Sequence, residues 1–159
     1  MRKGIPEKGS KVLRKGRVSI PVAFYFITTS VYQRKRILNQ PVCFQILMDA
    51  IRFMEHRGDF TVFFVIAMPD HVHLVFQLGE GRELPSVMLS FKGYTGRKIK
   101  EVLRMKEKVW QNSYYDHCIR KEENLVKVLQ YAWYNPVRAR LVEHPKAYPF
   151  WWSRLELEE

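Results

Sequence analysis

Residues 60–78 read FTVFFVIAM-PD-HVHLVFQL, and the rest of the fold is read outward from them. Phe60 to Met68 is a nearly continuous apolar run of strand length, the pattern of a strand buried on both faces. Pro69 and Asp70 are turn residues, and His71 to Leu78 reads as a second strand, so the segment predicts a hairpin. Gly79 and Gly81 end it. Upstream, Phe44, Leu47, Met48, Ile51 and Met54 fall at helical spacing between Pro41, which suits a helix start, and the break at Gly58 and Asp59. Before that helix, Ala23 to Val31 (AFYFITTSV) is aromatic and β-branched and reads as a strand running into the basic cluster Arg34, Lys35, Arg36. Downstream, Pro85 to Met105 predicts a helix in spite of Gly93 and Gly96. Trp110 to Arg120 predicts a strand, and Asn124 is the N-cap of a helix running to about Asn135, limited by Pro136. Arg138 to Glu159 reads as a tail.

The resulting order, β-α-β-β-α-β followed by a helix, predicts an α+β fold of the split βαβ, or ferredoxin-like, kind: one antiparallel sheet with helices on one face and an added C-terminal helix. Residues 22–159 are expected to form a single domain behind a basic arm, residues 1–21. That arm carries Arg2, Lys3, Lys8, Lys11, Arg14, Lys15 and Arg17 against Glu7, a net of +6. It reads either as a solvated leader or as a segment that tracks phosphates. It lacks the apolar stretch of a signal peptide, so a cytosolic protein is expected.

Composition narrows the function classes. Of 159 residues 47% are apolar and 14% aromatic, which excludes disordered and collagen-like chains. No apolar run nears the roughly 20 residues that span a bilayer, so a membrane partner is not expected. The net charge of +11 points to a polyanionic partner, with nucleic acid ahead of an anionic membrane surface. The two cysteines, Cys43 and Cys118, form no CxxC pair, which argues against a disulfide scaffold or a zinc ribbon.

Three groups of residues carry chemistry. His71 and His73 are i and i+2 on a strand, so both imidazoles project from one face, roughly 7 Å apart at the backbone, while Val72, Leu74 and Phe76 face a core. Two imidazoles can converge on one ion, but two ligands do not make a site, and the default for such a pair is ordinary strand histidines. On the helix from Asn124, the residues Leu125, Val128, Leu129 and Ala132 form the apolar stripe. Tyr131 and Asn135 are i and i+4 on its flank, with Lys127 one turn before Tyr131. By themselves these are a half-buried tyrosine and a helix-ending asparagine. The third group is basic: Arg34, Lys35, Arg36, Lys92, Arg97, Lys98, Arg138 and Arg140, interleaved with Tyr94, Trp110, Tyr114 and Tyr115. A charge run is usually a solvated face, and such aromatics are more often core than stacking platforms. Neither GxSxG nor a P-loop occurs. His56, His117 and His144 stand singly, and His117 is the one that could contact a phosphate.

In combination these residues resemble a known family. Met68-Pro69-Asp70-His71-Val72-His73-Leu74-Val75 resembles the His-hydrophobic-His (HUH) motif of the single-tyrosine transposases of insertion sequences. Trp110-Gln111 and Tyr114-Tyr115-Asp116-His117-Cys118-Ile119-Arg120 resemble the strand before the catalytic helix in their REP-associated relatives. Tyr131-Ala132-Trp133-Tyr134-Asn135-Pro136-Val137-Arg138-Ala139 resembles the same group's Tyr-Ile-x-x-Asn-Pro-Val-Arg-Ala stretch, and Tyr148 to Ser153 resembles its Tyr-x-Trp-Ser-Ser ending. The resemblance covers about residues 23 to 153. Arg140 in place of glycine, Ala132 in place of isoleucine and the ending Trp151-Trp152-Ser153-Arg154 depart from the pattern.

The resemblance implies a ferredoxin-like fold, Tyr131 as nucleophile, and a divalent ion, Mg²⁺ or Mn²⁺, held by His71, His73 and Asn135. It implies metal-dependent cleavage and rejoining of single-stranded DNA beside hairpins through a 5′-phosphotyrosine, as in DNA transposition or REP-element mobilisation, in the bacterial cytoplasm. Members are monomers or homodimers. Lys127 is a possible activator of Tyr131, by placing a cation near the phenolate. Arg34, Lys35, Arg36, Lys92, Arg97, Lys98 and Arg138 would contact DNA. Two other readings stand beside it. One is a noncatalytic single-stranded nucleic-acid-binding module on the same fold, although Phe60 to Met68 lacks the basic-Gly-aromatic-Gly opening of an RRM. The other is a zinc hydrolase with His117 or Cys118 as third ligand.

Overall fold

The computed structural model describes residues 22–158; the arm expected over residues 1–21 lies outside them. Five strands, β1 (Phe24–Ser30), β2 (Phe60–Met68), β3 (His71–Leu78), β4 (Tyr115–Ile119) and β5 (Trp151–Ser153), form one sheet in the order β4-β1-β3-β2-β5. All the pairings are antiparallel. The helices are α1 (Pro41–Arg57), α2 (Leu84–Val102), α3 (Leu125–Trp133) and the single turn α4 (Asn135–Arg138).

Because β2 and β3 are apolar on both sides, both faces of the sheet need cover. Against one face, α1 and α2 bury Leu47, Ile51, Met88 and Phe91 on Ile27, Leu74 and Phe76. Against the other, α3 and the chain after it bury Val128, Leu129, Ala132, Trp133 and Tyr148 on Phe26, Phe64, Ile66 and Val75. The expectation of helices on one face therefore holds for α1 and α2 alone. A shift of register between Val62 and Phe64 flips the alternation of β2. Phe64, Ile66 and Met68 consequently face α3, while Val65 and Ala67 face the other core.

Local chemistry explains the boundaries. Gly58 ends α1 in the left-handed region at φ 88°. A Cβ on Gly79 would lie 2.0 Å from the Gly58 carbonyl oxygen, so only glycine lets β3 leave the sheet there. The strand expected over Trp110–Arg120 is shorter, because Trp110 makes only a single bridge with Val31 and its buried ring donates from Nε1 to Thr95 Oγ1 at 3.0 Å. Pro136 does more than stop a helix: α3 ends at Trp133, and the proline sits in the first turn of α4.

The expected tail contains β5, which pairs Trp151 with Ile66 and Ser153 with Phe64. Ahead of it, the buried Tyr148 hydroxyl donates to the Ala67 carbonyl. Among the described residues, no helix is long and apolar enough to cross a membrane.

Candidate active site

The register of β3 opposite β1 pairs His73 with Thr28 and His71 with Ser30, at the end of the sheet nearest the β2–β3 turn. His71 and His73 share the face of Val75, which is the face that α3 covers. Their rings lie 4.7 Å apart, centroid to centroid, nearly edge to face, and His73 also lies 5.1 Å from the Phe26 ring.

Each imidazole has an outer partner. The Asp70 carboxylate stands 2.7 Å from His71 Nδ1, and its other oxygen accepts from Arg34 Nε at 2.9 Å. His73 Nδ1 shares a hydrogen bond of 2.8 Å with Thr28 Oγ1. Burial lowers the pKa of His71 despite the opposing pull of Asp70. It lowers that of His73 further, helped by the charges of His71 and Arg138. Burial pushes the Asp70 carboxyl up, but hydrogen bonds from His71 and Arg34 outweigh it and hold the group below its ordinary value. An ionised Asp70 beside a neutral His71 fixes the tautomer: Nδ1–H donates to the carboxylate, and Nε2 keeps its lone pair.

The helix side of the site follows from capping and amphipathicity. Asn124 Oδ1 accepts the main-chain N–H of Lys127 at 3.2 Å, starting α3 at the expected residue. Val128, Leu129, Ala132 and Trp133 are buried on the sheet, whereas Tyr131 keeps 43% of its surface exposed. The Arg138 guanidinium lies 3.8 Å above the Tyr131 ring centroid and donates to Asn135 Oδ1 at 2.8 Å. Arg138 thus joins Tyr131 to Asn135, and its charge is felt at His73. Lys127, expected to supply the cation beside Tyr131, is exposed, and Arg138 is the cation on that ring. Tyr134 is partly buried and meets Trp133 edge to face at 5.9 Å.

The other basic residues divide between two places. Arg34 is committed to Asp70 and Lys35 pairs with Glu107, while Arg36 is exposed. Lys92 donates to the carbonyls of Gln111 and Ser113 at 2.7 and 2.8 Å, and Arg97 and Lys98 flank the Tyr94 ring. These three lie on α2, across the sheet from the histidines. His117 shares the histidine face but is paired with Glu123 at 3.0 Å, and Cys118 packs toward the opposite core. Among the described residues, no three His, Cys, Asp or Glu side chains form a metal-holding group, so a zinc site made with His117 or Cys118 finds no support.

The set His71, His73 and Asn135 does fit a divalent ion in its chemistry: two neutral imidazoles, each oriented through Nδ1, and an amide oxygen. Sequence reading misses Thr28, Asp70 and the role of Arg138. Asp70 is visible as the neighbour of His71, whereas Thr28 needs the register of β1 against β3.

With this geometry in hand, the comparisons decide the family. The profile described as "Transposase IS200 like" matches residues 22–133. The chain belongs to the IS200-like transposase family. The matched span holds His71, His73 and Tyr131 and stops two residues short of Asn135. Among curated relatives of this IS200-like chain, a protein of Haemophilus influenzae named as a REP-associated tyrosine transposase is 31% identical over 106 residues. That alignment spans 60% of each of the two proteins. Two solved structures share the fold. A REP-associated tyrosine transposase bound to a REP hairpin matches at a TM-score of 0.69 and 23% identity, over 85% of this chain and 79% of that one. A Deinococcus radiodurans protein described as a transposase matches at 0.54 and 17%, over 92% and 97%.

Proposed function

We propose that this IS200-like chain cleaves and rejoins single-stranded DNA beside hairpins, with Tyr131 as the nucleophile. The observation that carries the reading is the arrangement of the α3 face. A tautomer-fixed His71 and a His73 held by the Thr28 hydroxyl stand on the sheet, and the helix laid beside them presents an exposed tyrosine joined through Arg138 to Asn135. The strand order β4-β1-β3-β2, with α1 and α2 on one face, supports a ferredoxin-like scaffold to which α3 and β5 are added. The hairpin in the related REP-associated structure supports the choice of substrate.

The chemistry follows from the residue types. A phenol with a pKa near 10 is a poor nucleophile at neutral pH and needs help to attack a phosphodiester. The Tyr131 oxygen would attack phosphorus and lose its proton to water, and the bond from phosphorus to the 3′ oxygen would break as that oxygen takes up a proton from water. The products are a 5′-phosphotyrosine and a free 3′-OH, and attack by a 3′-OH would reverse the step without ATP. Arg138 would keep the tyrosine ring seated and, as a cation, favour phosphate beside it. His71, His73 and Asn135 would hold Mg²⁺ or Mn²⁺, imidazole favouring the latter. Such an ion supplies charge neutralisation and alignment of the scissile phosphate. Asp70 and Thr28 would hold the two imidazoles in their ligating orientation.

The test uses hairpin-bearing single strands labelled at the 5′ or the 3′ end, Mn²⁺ and denaturing gels. The fragment 3′ of the cut should travel with the protein, and Tyr131→Phe should abolish both adduct and cleavage while hairpin binding survives. An adduct carrying the other fragment, or one that persists in Tyr131→Phe, would move the nucleophile elsewhere. Binding without any adduct would favour the noncatalytic reading.

A further inference from the structure

Across the sheet from the histidines, the outer row of α2 reads Leu89, Gly93, Arg97 at i, i+4 and i+8. A groove opens on each side of it. One, of about 610 Å³, lies between α1 and α2 and is lined by Phe53, Arg57 and Tyr94 among others. The other, of about 470 Å³, lies between α2 and residues 108–114, with Lys92, Lys100 and Lys108 on its walls. Leu89, Gly93 and Arg97 line both. At Gly93 the row has no side chain, so the two grooves meet over a saddle.

The saddle has no packing reason. A Cβ on Gly96 would press on the Trp110 ring at 3.2 Å, which accounts for that glycine, whereas a Cβ on Gly93 would meet nothing within 4 Å. An exposed helix interior with glycine instead of alanine gives up stability, and here packing gains nothing in return. The walls are equally unusual for a solvated face. Phe53 is 63% exposed, Leu89 76% and Tyr94 39%. Guanidinium and ammonium groups lie over the aromatic rings, Arg57 at 5.3 Å from Phe53 and Arg97 and Lys98 at 5.7 and 6.0 Å from Tyr94. Among the described residues, no carboxylate lines either groove. Arg57 is answered by Asp59 and Lys92 by main-chain carbonyls, but among the described residues Arg97 and Lys100 have no acidic partner.

We infer that this double groove is a binding site for unpaired single-stranded nucleic acid, with bases against Phe53, Leu89 and Tyr94, phosphates at Arg97 and Lys100, and the strand crossing the helix at Gly93. The choice of occupant follows from the lining: flat exposed apolar surface with unanswered cations fits a chain of flat bases joined by anions. The inference rests on the reading of the chain as one that handles single-stranded DNA, and it places part of that strand away from Tyr131.

The test uses the full chain and a fluorescein-labelled dT₁₂, which has no hairpin. Gly93→Leu fills the saddle with a better helix former, and Phe53→Ala removes a stacking wall without touching the saddle. Gly93→Leu should weaken dT₁₂ binding by about tenfold or more, the loss expected when one stacked base is displaced, with no fall in Tm. Phe53→Ala should weaken it by about fivefold or more. An iodouracil-substituted strand should crosslink within residues 89–97. Affinities within twofold of wild type for both variants, or crosslinks confined to the histidine face, would overturn the site. So would loss of a dimer in sedimentation, or of binding to anionic vesicles, with dT₁₂ affinity unchanged; those results would assign the face to a second copy or to a lipid surface. Tyr131-dependent cleavage of hairpin strands separates the two readings. Its persistence with unaltered dT₁₂ binding in the variants sinks the groove alone, and its absence in wild type with dT₁₂ binding abolished in Gly93→Leu sinks the catalytic reading alone.

Discussion

Asp70→Asn is expected to weaken Mn²⁺ binding by about ten- to a hundredfold, the range found when an outer partner of a metal-ligating histidine is removed, equivalent to about 1.4–2.7 kcal/mol. The substitution keeps the size of the side chain and one carbonyl acceptor at the 2.7 Å contact with His71 Nδ1, so the ring stays in place. What disappears is the negative charge that makes Nε2 a stronger donor. Thr28→Val tests the same idea at His73, where the partner is a neutral hydroxyl at 2.8 Å, so its loss should fall at the lower end of the range. Arg34→Ala is the control. Its ion pair with Asp70 is 2.9 Å long, but the Arg34 side chain is 56% exposed, so solvent screens the pair to about 0–1 kcal/mol. It should therefore leave Tm nearly unchanged and Mn²⁺ affinity within about threefold, since Asp70 keeps its charge. Calorimetric titration of the metal-stripped full chain reads all three. An Asp70→Asn affinity within twofold of wild type would refute the assignment of Asp70 as the orienting partner of a ligand, whatever its effect on cleavage.

Three further outcomes are expected, two from the structure and one from the sequence. Tyr148→Phe leaves the buried Ala67 carbonyl without its hydroxyl donor and should cost about 1–3 kcal/mol in urea unfolding. Burial raises the Tyr148 phenol to about 12 from its ordinary 10, so its contribution is complete below pH 10 and vanishes as pH rises through 12. Alkaline loss of stability should be shallower over that window in Tyr148→Phe, while the buried Cys43 thiol, raised from 9.0 to about 11, contributes its own loss between those values in both proteins. Thr29→Val replaces a fully buried hydroxyl that has no hydrogen-bond partner among the described residues and should raise stability by about 1 kcal/mol, read as a higher Tm. Deleting residues 1–18 removes all seven cations of the basic arm and should lower the log–log salt slope of single-strand binding by roughly 0.7 for each phosphate the arm had neutralised; an unchanged slope would make the arm a solvated leader.

What can be read from the sequence is what periodicity and local chemistry encode. The bounds of α1, β2 and β3 are written in apolar spacing, Pro41, Gly58 and the Pro69-Asp70 turn, and the structure reproduces them residue for residue. Hidden from that reading is whatever depends on partners distant in sequence. Three residues of β5 are too few for a period, and they are a strand only because β2 offers them an edge. A helical projection omits Trp133 from the apolar stripe and sends Tyr134 to solvent, because it cannot tell that the chain after α3 folds back onto the same sheet face. At the site the division is the same. His71 and His73 are visible as i and i+2, and Tyr131 and Asn135 as i and i+4, whereas Thr28 enters through a register 45 residues away. Spacing favours Lys127 over Arg138 as the cation beside Tyr131, whereas in the structure it is the Arg138 guanidinium, from α4, that lies on that ring. The two helices part at Tyr134, two residues before Pro136, which in sequence reads as a stop. Pro136 thus stands in the first turn of the segment that carries Arg138, the residue found on the Tyr131 ring.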